Sequence, residues 1–195
     1  MLTRRKFLYR SGALLAGSLA LPAFRRAFGA PGAAPPKHAD KKSGIVTIKM
    51  QSDSAGARVS FDPIGIHVEP GQTIRWQVVQ NVHTATAYHP KNDHHSLRIP
   101  EAAIPWNSGF LVNPGDHFEV TLTVEGVYDY FCMPHEMVGM VGRIIVGRPA
   151  GPGALPFDYF RGKPGTAAWK AVPDAAQRMF PSIERIMREK VVHPG

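Results

Sequence analysis

The 195-residue sequence predicts an all-β sandwich carrying a short helical C-terminal extension. Three observations predict it. Residues 45–147 hold short runs in which apolar and polar residues alternate, the period of a half-buried strand. Gly- and Pro-containing turns separate these runs, and an antiparallel sandwich or barrel is the architecture that buries such strands. Beyond residue 147 the chain turns Pro/Gly-rich, and then apolar residues recur at helical spacing.

Taken in order, residues 1–30 read as an export signal. Arg4, Arg5, Lys6 and Arg10 precede the apolar stretch Gly12 to Leu21, and small residues follow. That stretch is too short for a transmembrane helix, which needs ~20 apolar residues. Thr3-Arg4-Arg5-Lys6-Phe7-Leu8 resembles a twin-arginine (Tat) signal, which predicts a periplasmic or otherwise extracytoplasmic protein. A Sec signal and a retained N-terminal anchor are the alternatives; membrane contact is expected only if the segment is retained. Residues 31–44, rich in Pro, Gly, Ala and Lys, form a flexible linker.

Ile45-Val46-Thr47-Ile48 opens the β-region 45–147. Ile64, Ile66 and Val68 alternate with Gly65 and His67, and after the Pro70-Gly71 turn Thr73 to Val79 place Ile74, Trp76 and Val78 on one face. Phe118, Val120, Leu122 and Val124 alternate next; Glu125-Gly126 turns the chain into Val127 to Phe131, and Val141 to Val146 closes the series. Between them, roughly His83 to Asn113 is a long polar loop interrupted by Pro90, Pro100 and Pro105, and long loops in compact domains usually carry function. In the extension 148–195, Asp174 with Gln177 predicts a capping box opening a short helix. Pro181 interrupts it, and Ile183, Ile186, Met187 and Val191 predict a second helix packed on the outside of the sandwich.

The formal net charge of +8 is uneven. Residues 1–29 carry +6 and residues 148–195 carry +4, leaving −2 on 30–147. With no clustered Lys/Arg on the β-region, nucleic-acid binding is excluded. The single cysteine, Cys132, has no partner within an exported chain. It is therefore an intermolecular bridge, a free thiol or a metal ligand.

The segment around it reads Tyr128-Asp-Tyr-Phe-Cys-Met-Pro-His-Glu-Met-Val-Gly-Met-Val-Gly-Arg-Ile-Ile-Val146. Cys132 ends one strand, His135 follows three residues later, and Met140 lies just before the next strand. Pro134 stiffens the approach to His135, while Gly139 and Gly142 let backbone pass closely beside Met140. Taken singly, Cys132 is a small buried hydrophobe and Met140 a core filler. Thiolate, imidazole and a weak axial thioether together are the ligand types of a copper electron-transfer site, and one metal explains all three. Met137 is a rival axial residue.

The pattern aromatic-Cys-x-Pro-His-x4-Met followed by Val-Gly-x-Ile resembles the copper loop of the cupredoxins, the plastocyanin/azurin-type blue-copper proteins. Phe61-x-Pro63-x2-Ile66-x-Val68-x2-Gly71-Gln72-Thr73-Ile74-x-Trp76 is similar to the early strands of that family. The resemblance implies a Greek-key sandwich of about eight strands and one type 1 copper ion at its end, cycling between Cu(I) and Cu(II). It implies the ligand set His83, Cys132, His135 and Met140. His83 is placed by its position after the Trp76 strand, and His89 is the runner-up. Thr84 stands where members often have Asn, and it can still supply a hydrogen bond behind the ligands.

The function so implied is a one-electron carrier rather than an enzyme, with redox donor and acceptor proteins docking transiently near His135. A small oxidoreductase with additional copper is one alternative, although no His-x-His pair occurs and only His94 and His95 adjoin. Copper delivery or storage is another, although a Pro-stiffened loop suits a rigid site. His89, Asp93, His94 and His95 are expected in a solvated loop, with a second metal there conceivable. His67 and His117 are expected to face solvent, and Trp106 to anchor its loop.

Overall fold

The computed structural model describes residues 44–195; residues 1–30, expected to be an export signal, and nearly all of the segment 31–44, expected to be a linker, lie outside the described residues. Nine strands follow in chain order: Val46–Ser52 (β1), Val59–Asp62 (β2), Gly65–Val68 (β3), Gln72–Val78 (β4), Thr86–Ala87 (β5), His117–Leu122 (β6), Gly126–Phe131 (β7), Val141–Val146 (β8) and Val191–Val192 (β9). They form two sheets, ordered β2-β1-β4-β6 and β5-β7-β8-β3-β9.

The sandwich is present, but it is not purely antiparallel as expected. β1 runs parallel to β4, with Ile48 opposite Trp76, and β3 runs parallel to β8, with Ile66 opposite Ile144. The cause is the path of the chain, which leaves the first sheet after β2 for β3 and returns to it for β4. A strand that visits the other sheet can come back running the same way as its neighbour.

Six strands coincide with runs expected to be strands from the sequence. β2, β5 and β9 do not. The loop 83–113, expected to be polar, buries Thr84 to Tyr88, Ser96 and Arg98 to Pro100.

Period-2 alternation assigns the faces of the second sheet. Tyr128 and Tyr130 of β7 and Ile144 and Val146 of β8 point inward, joining Ile48, Ile66, Ile74 and Trp76 between the sheets. Trp106 anchors its loop there as expected, its ring 5.4 Å from that of Trp76. Gly142 lies opposite Tyr130, and a Cβ at Gly142 would collide with that phenol.

The outward residues of β7 and β8 are buried too, because the extension covers them. Two helices, Asp174–Met179 (α1) and Ile183–Glu189 (α2), lie on that face. Ile186 packs with Ile64, Val127, Ile145 and Val192, while Ala176 and Val172 pack with Tyr88, Phe131 and Val141. The expected capping box is not formed: Pro173 occupies the N-cap of α1 and no side chain caps it. In α2, Ser182 Oγ accepts from the Arg185 amide at 3.1 Å. Val191 belongs to β9 rather than to the helix. Lys190, at φ 64°, reverses the chain so that Val191 pairs with Ile66.

At the middle of this covered face sits Asp129, fully buried on β7. Arg98 Nε lies 3.0 Å from its Oδ2 and Arg143 Nε 2.7 Å from its Oδ1. The guanidinium groups also donate to the carbonyls of Gly153 (2.8 Å) and Leu155 (2.9 Å) from Arg98, and of Pro181 (3.0 Å) from Arg143. Phe157 and Phe180 lie against them, 4.3 Å from the Arg98 and 4.9 Å from the Arg143 guanidinium carbon. The extension is thereby tied to the sandwich through its backbone.

Candidate metal centre

Three elements meet at one end of the sandwich. His83 follows β4 and is held by backbone hydrogen bonds in both directions with Leu111 (3.1 and 2.9 Å). Cys132 directly follows β7, a 3-10 turn Met133–Val138 carries His135, and Met140 immediately precedes β8. The loop is tied to itself. The Cys132 amide donates to the Met140 carbonyl (3.0 Å), the Met140 amide to the His135 carbonyl (3.1 Å), and the His135 amide to the Cys132 carbonyl (3.0 Å). Gly139, at φ 91°, closes the turn in a left-handed conformation, and a Cβ there would meet Met179 Cγ at 2.7 Å.

One ligand atom from each of His83, Cys132 and His135 lies within 4.8 Å of the others. Both histidines present Nδ1 to the sulfur, at 3.6 Å for His83 and 3.4 Å for His135. Met140 is 0% exposed and packs in the same cluster as Cys132, whereas Met137 is 71% exposed on the turn. His89 is not part of the group; its Nδ1 accepts from the Lys91 amide at 3.0 Å.

The surroundings favour neutral ligands. Burial, with the neighbouring His135 second, pushes the His83 imidazole down to about 4, and burial lowers His135 as well. Burial pushes the Cys132 thiol up to about 11, against the Thr84 and His135 amides that favour the thiolate. At neutral pH both imidazoles therefore keep a free lone pair, and the thiol proton is the one that metal binding displaces. His83 Nε2 lies 3.3 Å from Ser52 Oγ, a contact that orients the ring with Nδ1 toward the sulfur. Thr84 supplies the expected hydrogen bonds behind the ligands. Its amide donates to Cys132 Sγ (3.3 Å), and its Oγ1 accepts from the Met133 amide (2.8 Å).

The remaining histidines sort differently from expectation. His95 is buried, not solvated, with Nε2 3.1 Å from Glu136 Oε2 and Nδ1 2.7 Å from the Asn92 carbonyl. Asp93 stays exposed and pairs with Lys170 at 2.6 Å. Among the described residues, the only group of three or more His, Cys, Asp and Glu able to share a metal is His83, Cys132 and His135, so the His89–His95 loop forms no second one. His117 is exposed as expected, but His67 is half-buried, its Nε2 2.9 Å from the Gly147 carbonyl. Ser52, Tyr88 and Glu136 were missed by sequence reasoning, and no local pattern marks them.

A family profile described as copper binding proteins, plastocyanin/azurin family, matches residues 46–147. The chain belongs to that family. The chloroplastic plastocyanin of Chlamydomonas reinhardtii is 33% identical over 117 residues, covering 56% of this chain and 68% of the relative. The pseudoazurin of Methylorubrum extorquens is 27% identical over 103 residues, covering 52% of this chain and 62% of the relative. Among solved structures, pseudoazurin from Methylobacterium extorquens AM1 superposes with a TM-score of 0.50 at 19% identity, over 75% of this chain and 98% of that one. That likeness shows the shared fold, the cupredoxin sandwich. Copper is the family's metal. The donors found together here, one thiol, two imidazoles and a buried thioether, fit a type 1 copper site.

Proposed function

We propose that His83, Cys132, His135 and Met140 hold one copper ion and that this cupredoxin carries single electrons between redox proteins outside the cytoplasm. The observation that carries the reading is the convergence of the His83 and His135 Nδ1 atoms on Cys132 Sγ, with Cys132 and His135 in a loop hydrogen-bonded to itself. Copper supplies one-electron chemistry between Cu(I) and Cu(II). The donor set would serve both oxidation states, since sulfur suits the reduced ion and imidazole the oxidised one. The self-bonded loop limits rearrangement between them.

The surface near the ligands suits brief encounters. Met133, Met137 and Val138 on the His135 turn are exposed, and so are Phe110 and Val112, which flank the Leu111 that pairs with His83. Such an apolar rim supports small, transient docking close to His135. The twin-arginine-like leader supports export.

The test is visible and paramagnetic resonance spectroscopy of the Cu(II)-loaded protein, with copper counted per chain. One ion per chain and an intense thiolate-to-copper band, lost in Cys132→Ser, are expected. An unaltered spectrum in Cys132→Ser would refute the ligand set. Two or more coppers per chain would move the reading to an oxidoreductase, and transfer of copper to an acceptor without redox cycling would move it to delivery.

A further inference from the structure

We propose that Glu136 is a positioning residue for the copper centre: its carboxylate, clasped between Tyr88 and His95, fixes the turn that presents His135. This rests on the reading that the turn holds copper. Of the six residues of the turn Met133–Val138, Glu136 is the only buried one, at 8% exposure, while Met133, Met137 and Val138 reach into solvent. An acidic side chain is an expensive group to bury, and it is tolerated only when its oxygens are satisfied. Both are. Oε1 accepts from the Tyr88 hydroxyl at 2.7 Å, and Oε2 faces His95 Nε2 at 3.1 Å.

The second ring nitrogen of His95 decides the charge of the clasp. Nδ1 stands 2.7 Å from the Asn92 carbonyl, which can only accept. An imidazole set between a carbonyl and a carboxylate donates from both nitrogens, so His95 is the imidazolium and its bond to Glu136 is charge-assisted. Burial alone would strip that proton; the Glu136 carboxylate and the Asn92 carbonyl outweigh it and raise the affinity of His95 for it. Burial and the adjacent Glu136 likewise hold the Tyr88 phenol protonated, as a donor.

The clasp partners stand on rigid ground. The Tyr88 amide donates to the Asp129 carbonyl at 3.1 Å beside β7. The segment of His95 is strapped to the extension, the Ser96 amide donating to the Lys170 carbonyl at 3.0 Å. The Phe131 ring fills the space between them, its centroid 4.4 Å from that of His95 and 4.5 Å from that of Tyr88. One side of the copper loop is thus held by the Cys132–Met140 backbone bonds and the other by the residue next to His135.

The test compares full-length wild type, Glu136→Ala and Glu136→Gln loaded with Cu(II). Glutamine can keep both bonds: its carbonyl accepts from Tyr88, and its amide donates to Nε2 of a neutral His95 that still donates from Nδ1 to Asn92. Glu136→Ala is expected to bind copper about 10–100-fold more weakly and to shift the thiolate-to-copper band and the copper hyperfine splitting. Glu136→Gln is expected to restore all three. Wild-type affinity and spectra in the alanine variant, or a glutamine variant as defective as alanine, overturn the proposal. If the alanine variant does not fold, Tyr88→Phe decides the matter by amide hydrogen exchange without copper. Faster exchange confined to Met133–Gly139 is expected, and exchange unchanged there overturns it. Wild type lacking the thiolate band altogether would instead bring down the functional reading on which the proposal stands.

Discussion

The first sheet of the sandwich keeps one face in water, whereas strands β7 and β8 of the second keep neither. Along β4, Ile74, Trp76 and Val78 are buried while Thr73, Arg75 and Gln77 are only partly covered; along β7 and β8 every residue is buried. The two sheets differ because the extension forms a third layer over the second one alone. The difference governs what a charge does in each place. On the open face Arg75 and Glu119 pair across β4 and β6 at 2.5 Å, each about a third exposed. On the covered face Asp129 lies between two guanidinium groups, its own side chain wholly buried. The first pair is optional, but the second cluster cannot lose a member cheaply.

The largest expected effect comes from breaking the covered cluster. Asp129→Ala leaves two buried guanidinium groups without their carboxylate, and it should lower unfolding free energy by about 3–5 kcal/mol in denaturant titration. A loss under ~1 kcal/mol, the scale of an exposed pair, would show the third layer to be loosely seated. Next comes the apolar contact of that layer. Ile186 is fully buried against the outer face of the second sheet, and Ile186→Ala should cost about 2–5 kcal/mol.

A smaller effect depends on pH. His95 has its proton affinity raised in the folded chain. Its pairing with Glu136 therefore contributes fully below the ordinary histidine pKa of ~6.5, and the contribution fades as pH rises through the raised value. The stability gap between wild type and His95→Gln should accordingly narrow from mildly acid to alkaline solution. A gap that widens would show His95 to be neutral. The smallest effect belongs to the open face, where Arg75→Ala should change stability by less than ~1 kcal/mol in low salt and by still less in high salt.

Much of the centre was legible because three of its four proposed ligands lie within nine residues, Cys132 to Met140. Their types name the chemistry before any fold is known. The ligand role of His83 rested on family resemblance alone, since spacing does not say what meets it. Between the rival sulfurs, the resemblance favoured Met140 over Met137 by spacing, and burial separates them in the same sense. β9 was misread as helix because Val191 keeps helical spacing, and no residue type announces the positive φ at Lys190. His95 was placed in water on the strength of its polar neighbours, although the extension covers it. Asp129 did leave a trace, as the one acid among Val127 to Phe131, but nothing in the sequence names Arg98 and Arg143 as its partners.

By itself the sequence determined the strand periods, the turns and the copper loop, because those depend on neighbours a few residues apart. The tertiary structure alone decided which histidine meets the sulfur, how Glu136 and Asp129 are compensated, and that β7 and β8 have no wet face. Burial and charge compensation are long-range properties. They are set by which distant segments exclude water from a side chain, and no local spacing encodes that.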